Sequence, residues 1–257
     1  MISVFDIYKI GIGPSSSHTM GPMVAAKRFL DLASQADVSH ASRITATLYG
    51  SLAFTGKGHG TDKAVVLGLA GENPQDIDPD RVDSILASMT AITLPSGRTI
   101  PFDADKDVIF DFGPALKGHA NGLVFRLFDA SNEEILSETY FSIGGGFVQT
   151  EKERAADQKA AVPNLNVQYP FSNASQMLEM GKYAGLSITQ MKRVNETTSI
   201  SEAELDAGLD KIWAAMNACM NRGLKAQGIL PGGLKVKRRA ADIYGLYWDA
   251  YPHGQQL

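Results

Sequence analysis

Arg43-Ile44-Thr45-Ala46-Thr47-Leu48-Tyr49 alternates Ile44, Ala46 and Leu48 with Thr45, Thr47 and Tyr49, the period-two pattern of a half-buried strand. What flanks it decides the fold. Upstream, Gly21 to Ser34 places Met23, Ala26, Phe29, Leu30 and Ala33 on one helical face, with Pro22 suited to the first turn. Downstream, Thr61 to Ala70 packs Ala64, Val65, Leu67 and Gly68 into a buried helix, and Asp80 to Met89 is amphipathic with Val82, Ile85 and Leu86 inward. From Thr99 to Val148 the texture shifts to short strand-like runs, Val108-Ile109-Phe110, Leu123 to Phe128 and Ile135 to Ile143. Asn121-Gly122 and Asp129-Ala130-Ser131-Asn132 separate them with hairpin chemistry. Residues 1–150 therefore read as an α+β domain: a mainly antiparallel sheet with packed helices.

Six charged residues fall between Glu151 and Lys159, with hardly an apolar side chain before Val162, so residues 151–170 read as a linker or mobile loop. Residues 171–257 read as all-α. Asn173 with Gln176 and Ser201 with Glu204 have capping-box spacing, and the second pair opens a stripe of Leu205, Leu209, Ile212, Trp213, Met216 and Met220 that ends at Gly223. Cys219 lies between Met216 and Met220 on that stripe and is expected to be a small core residue.

The 257 residues, 44% of them hydrophobic, suffice for one sizeable domain and a smaller unit. A net charge of -4 leaves no basic surplus for a phosphate backbone, so nucleic acid is not an expected partner. Lys235 to Arg239 is a local basic patch, read as a solvated or interdomain face. Neither the start, Met1 to Asp6, nor any later run has the apolar length of a signal peptide or a membrane span, so the expected location is cytoplasmic. A single cysteine forms no internal disulfide and cannot alone hold zinc or an iron-sulfur cluster.

Two segments carry candidate chemistry. In Gly13-Pro14-Ser15-Ser16-Ser17-His18-Thr19, hydroxyls and backbone amides precede a helix and could converge on an anion; the same composition also makes an ordinary serine-rich cap. His18 beside them is a carboxylate donor, a general acid or a structural imidazole. In Lys57-Gly58-His59-Gly60-Thr61-Asp62, glycines let the backbone approach a ligand while His59 projects from a loop after a strand. An imidazole with an ordinary pKa of about 6.5 accepts a proton near neutrality, so His59 is the better base, its tautomer set by Asp62 or a backbone carbonyl; an exposed histidine in a flexible turn is the plain alternative. Gly144-Gly145-Gly146, after the last strand, either presents amides to a ligand or is an exit loop. His40, His119 and His253 lack companions and are taken as surface residues.

Ile12 to Thr19, Tyr49 to Asp62 and Ser142-Ile143-Gly144-Gly145-Gly146 together resemble the iron-sulfur L-serine dehydratases, and Pro231 to Ala240 resembles the start of their catalytic α domain in the single-chain bacterial type. The resemblance covers nearly the whole chain, which is about half of such an enzyme. It implies deamination of L-serine to pyruvate and ammonia with a [4Fe-4S] cluster. It also implies a first domain like the allosteric substrate-binding domain of some phosphoglycerate dehydrogenases. By resemblance His59 is the catalytic proton acceptor, Ser15, Ser16, Ser17, His18 and Thr19 orient the substrate, and Lys57, Thr61 and Asp62 line the same site. The family's cluster-ligating cysteines lie in the later α domain, so no metal ligand is expected here and the chain alone is expected to be inactive. Its expected partners are L-serine, an α domain on the same or a separate chain, and a second copy in a homodimer, with no membrane. A non-catalytic module that senses serine or another small acid, and a ligand-free helical scaffold, are the competing readings.

Overall fold

The computed structural model describes residues 2–157, 167–230 and 235–250. The chain forms two compact units, an α+β unit of residues 10–157 with residue 235, and a helical unit of residues 2–9, 167–230 and 236–250. The first short helix, α1 (Val4–Ile7), belongs to the helical unit although it opens the chain. The helical unit is thus discontinuous in sequence, where the composition suggests a boundary only after residue 150.

In the α+β unit a π-helical turn, Ser16–Met20, runs straight into α2 (Gly21–Ala33), with Pro22 in its first turn as expected. Strand β1 (Arg43–Tyr49) follows, then two single-turn helices, α3 (Ser51–Phe54) and α4 (Gly56–His59), and then α5 (Thr61–Leu69). Helix α6 (Val82–Ser88), the small hairpin β2 (Ala91–Thr93) with β3 (Thr99–Pro101), α7 (Ala104–Asp107), β4 (Val108–Asp111), β5 (Gly122–Phe128), β6 (Glu134–Gly144), β7 (Phe147–Thr150) and α8 (Glu151–Asp157) complete it.

The main sheet has the order β4-β1-β5-β6-β7, and only the β1–β4 pair is parallel. Ile44, Ala46 and Leu48 of β1 and Leu123, Phe125 and Leu127 of β5 enter the core, where Phe29 of α2 stacks on Phe125 with centroids 5.3 Å apart. The other face of β1 is covered too. Thr45 and Thr47 are buried, and Arg126 Nη1 donates to Thr47 Oγ1 at 3.4 Å, so the strand is closed on both faces rather than half-buried.

Three local expectations change. Asn121-Gly122 is no hairpin turn, because β1 lies between β4 and β5; Asp129 to Asn132 is one, with the Asp129 carboxylate accepting from the Ser131 and Glu133 amides. The triple glycine does not follow the last strand. It is the β6–β7 turn, and φ of 96°, 61° and 78° at Gly144, Gly145 and Gly146 explains why three glycines stand in a row. Residues 151–157 are helical rather than linker, with Arg28 Nη2 pairing with Glu153 at 2.6 Å; residues 158–166, the rest of that stretch, lie outside the described residues.

The helical unit holds α9 (Ala174–Ala184), α10 (Ile188–Glu196), α11 (Glu202–Gly223) and α12 (Ala240–Ala250). Ser201 and Glu204 form the expected capping box, and Ser187 with Gln190 forms a second that the sequence reading passed over. Asn173 caps α9, but the reciprocal bond is missing because Gln176 Oε1 accepts from the Ser172 amide and hydroxyl instead. Asn195 is buried, its amide accepting from Tyr169 N at 2.9 Å and donating to Tyr169 O at 2.7 Å, which clamps the segment before α9 to α10. The α11 stripe differs from expectation. Leu205 is buried, yet Trp213, Met216 and Met220 are 60%, 41% and 49% exposed and Cys219 is exposed beside them, so the described residues leave the C-terminal part of that face open.

Candidate active site

Three segments of the α+β unit converge: the π-helical turn with its leader, the β1–α3 corner and the α4–α5 corner. The leader contains a cis Gly13-Pro14 peptide, and Ser15 caps the turn, its hydroxyl accepting from the His18 amide at 3.2 Å and its carbonyl from the Thr19 and Met20 amides. The extra residue of a π-turn rotates the side chains after it, a device common at functional sites.

The turn is stitched to the α4–α5 corner by two threonines. Thr19 Oγ1 donates to the His59 carbonyl at 2.9 Å and accepts from the Ser15 amide at 3.2 Å. Thr61 Oγ1, fully buried, donates to the His18 carbonyl at 2.6 Å. The backbone of each histidine is therefore held by a hydroxyl from the other's segment, and their rings lie 4.8 Å apart, tilted 39°.

His18 is half-buried with both ring nitrogens engaged, Nδ1 with Ser17 Oγ at 2.8 Å and Nε2 with Ser51 Oγ at 2.9 Å. Burial, followed by the charge of His59, lowers its pKa below the ordinary imidazole value, against a raising hydrogen bond from Ser51. His59 differs. It is the last residue of α4 rather than part of an open loop, and its Nδ1 lies 2.9 Å from the Thr55 carbonyl. A carbonyl only accepts, so Nδ1 carries a proton, and in the neutral ring Nε2 keeps its lone pair. A backbone carbonyl thus sets the tautomer, and Asp62 is occupied elsewhere, accepting from Lys57 Nζ at 2.6 Å. Lys57 also sits 4.9 Å over the Phe110 ring.

Ser15, Ser17, His18, Thr19, His59 and Thr61 are accordingly brought together, while Lys57 and Asp62 pair with each other and Ser16 is exposed, its carbonyl accepting from Gly21 N. Sequence reading did not place Ser51 among the site residues, although Gly50-Ser51 directly after a strand is a local signal. Gly50 has φ 56° and ψ -128°, so the chain turns sharply off β1 and presents the Ser51 hydroxyl to His18. The Thr55 carbonyl had no sequence signal at all. Of the other histidines, His40 is exposed, His119 is half-buried with Nδ1 accepting from the Asn121 amide at 3.1 Å, and His253 lies outside the described residues.

The lowered pKa of His18 gives a stability expectation. The folded chain disfavours protonated His18 relative to the unfolded chain, so its contribution is full above the unfolded value of about 6.5 and is lost as pH falls below it. Histidine NMR titration should place His18 below that value, and His59→Asn should move it upward by removing the neighbouring charge. An unchanged His18 midpoint in that variant would mean that the two rings are not coupled.

Comparison with known proteins places these loops. The family described as serine dehydratase beta chain matches residues 3–153. The chain is 44% identical over 246 residues to an L-serine dehydratase of Streptomyces coelicolor, which covers 94% of this chain and 54% of that protein. It is 43% identical over 250 residues to L-serine dehydratase TdcG of Escherichia coli, covering 95% and 54% respectively. Against an L-serine dehydratase of Helicobacter pylori it is 40% identical over 245 residues, covering 94% and 53%. The chain spans about half the length of these relatives. All three site segments fall inside the family match, which takes in more than half of the residues, and the chain belongs to the serine dehydratase β-chain family.

Proposed function

We propose that the chain is the proton-abstracting portion of an L-serine dehydratase, acting on L-serine to give pyruvate and ammonia in the cytoplasm. The observation that carries this reading is the 2.9 Å contact of His59 Nδ1 with the Thr55 carbonyl, which leaves Nε2 of the neutral ring as the proton acceptor. His59 Nε2 takes the proton from Cα of serine. The electron pair left behind forms the Cα–Cβ double bond as the β-hydroxyl departs, and proton and hydroxyl together make one water. The aminoacrylate then tautomerises to an imine, which a second water hydrolyses to pyruvate and ammonia.

Ser15, Ser16, Ser17 and His18 orient the substrate carboxylate; both ring nitrogens of neutral His18 are held by hydroxyls, so the ring exchanges one of them for the carboxylate and does not compete for the proton. Thr19 and Thr61 act through the backbone, because their hydroxyls are spent on the carbonyls of His59 and His18. Lys57 and Asp62 form the rim as an ion pair.

Hydroxide is a poor leaving group, and the family resemblance assigns its activation to a [4Fe-4S] cluster. The residues of this chain do not fit that group. One cysteine in 257 residues cannot supply its thiolates, and among the described residues no cluster of three His, Cys, Asp or Glu side chains is placed to hold a metal. The ligands are assigned to the half of the enzyme that the relatives possess beyond the matched region, a partner on the same or a separate chain.

The test is complementation. The chain, mixed with the part of the Streptomyces coelicolor relative that lies outside the matched region and reconstituted anaerobically with iron and sulfide, should turn L-serine into pyruvate, while each part alone should not. Serine-dependent pyruvate from the chain alone would overturn this division of labour. Absence of turnover together with absence of serine binding by the reconstituted mixture would overturn the assignment itself.

A further inference from the structure

Residues 2–9 meet helices that lie far along the sequence, and one buried carboxylate organises the meeting. Glu196, the last residue of α10, is 3% exposed. Its Oε2 accepts from the Ser3 hydroxyl at 2.8 Å, and its Oε1 accepts from the Val4 amide at 2.8 Å, 192 positions away, and from Lys192 Nζ at 2.9 Å. Lys192 Nζ also donates to the Ile2 carbonyl at 2.9 Å. Burial alone raises the pKa of Glu196, but the hydrogen bonds from Lys192, the Val4 amide and Ser3 more than offset it and leave the carboxyl below its ordinary value.

Apolar burial contributes little to this attachment. No residue of α1 is buried, and Ile2, Ile7 and Tyr8 are 65%, 63% and 51% exposed. The ring of Phe5 lies against Gly208 of α11, where an added Cβ would come within 2.5 Å of Phe5 Cε1. The segment is therefore a strap held chiefly by a polar node. Lys9 is its last residue, Ile10 begins the α+β unit, and Ser15, the cap of the π-helical turn, comes five residues later.

We propose that Glu196 is a latch for the chain's own N-terminal strap. Closed, it ties the helical unit to the segment that leads into the serine-rich turn; open, it frees residues 2–9 while both units keep their folds. The carboxylate is suited to this because removing one partner leaves a buried charge short of donors, so the latch closes or opens as a set. Charged groups next to the node are Lys192 on the same helix, and Asp6 and Lys9, which pair with each other at 3.5 Å within the strap.

The 257-residue chain itself supports the test, through amide exchange of the strap and the rate of tryptic cleavage after Lys9. Glu196→Gln keeps the volume and removes the charge; strap exchange and cleavage should both rise roughly 10- to 100-fold, with α11, β1 and β5 as protected as before. Ser3→Asp sets a like charge against the latch without touching α10 and should give the same release. Strap exchange within about twofold of the parent in both variants would overturn the proposal. Should Glu196→Gln also strip protection from α11, Ser3→Asp decides: a freed strap with α11 intact supports a latch, and loss of α11 in both variants overturns it.

Discussion

Replacing His59 with alanine in the reconstituted two-part enzyme is expected to lower kcat by roughly 10²- to 10⁴-fold, the range for a lost general base. Affinity for serine should change far less, because in the proposed mechanism the ring meets the substrate only at the proton being moved. The fold should survive as well: the contacts that hold the α4–α5 corner run through the His59 carbonyl to Thr19 and through Thr61 to the His18 carbonyl, and both remain in the variant. His18→Asn is the informative contrast. His18 is engaged by Ser17 and Ser51 in the resting chain and in the proposed mechanism binds ground and transition states alike, so its loss should raise KM as well as lower kcat. If His18→Asn abolished kcat and His59→Ala left it near normal, the roles of the two imidazoles would have to be exchanged. If neither variant mattered, the base would lie outside this chain.

The two imidazole segments were legible because their chemistry is local: glycines, hydroxyls and histidines next to helix starts mark a site wherever the chain folds. Their mutual geometry was not legible. The pairing of the His18 and His59 segments depends on hydroxyls 40 and 43 positions from the carbonyls they bind, and nothing in periodicity reports that. The same division holds for the fold. Helix α2, helix α5 and strand β1 follow from apolar spacing, although burial of the threonine face of β1 does not. The parallel β1–β4 pair and the placement of β1 between β4 and β5 are long-range choices that Asn121-Gly122 actively obscures. The strap escaped for the opposite reason. Ser3 and Asp6 form a capping box around a four-residue helix with no buried residue, so the apolar side chains of Val4, Phe5 and Ile7 say nothing of the carboxylate of Glu196 that holds the segment.

The stripe on α11 shows where a correct periodicity led to a wrong environment. Leu205, Leu209, Ile212, Trp213, Met216 and Met220 share one face, as read from spacing, but only the N-terminal end of that face is covered by described residues. Burial is a property of what packs against a helix. A stripe that the described residues leave open reads identically in sequence to one that is closed, and Cys219 takes its exposure from this geometry rather than from its neighbours in sequence.

Gly50→Ala is expected to damage both the stability of the α+β unit and the site. At φ 56° and ψ -128° the backbone lies where an L side chain is strained, and an added Cβ would overlap the Ala120 carbonyl oxygen and stand 3.0 Å from Ala115 Cβ. That carbonyl cannot simply withdraw, because it accepts the Ser51 amide at 2.8 Å and so fixes the start of α3. Strain and overpacking together should cost about 2–5 kcal/mol, measured by urea unfolding of the purified chain. The damage should also reach the site, since displacement of Ser51 withdraws the hydroxyl from His18 Nε2 and shifts that ring's resonances. Gly58→Ala provides the control: it lies inside α4 next to His59, has nothing within 4 Å of the new Cβ, and should change stability by no more than about 0.5 kcal/mol. A Gly50→Ala cost below about 1 kcal/mol with the His18 signals unmoved would mean that the β1–α3 corner can relax, and that Ser51 is not placed by this turn.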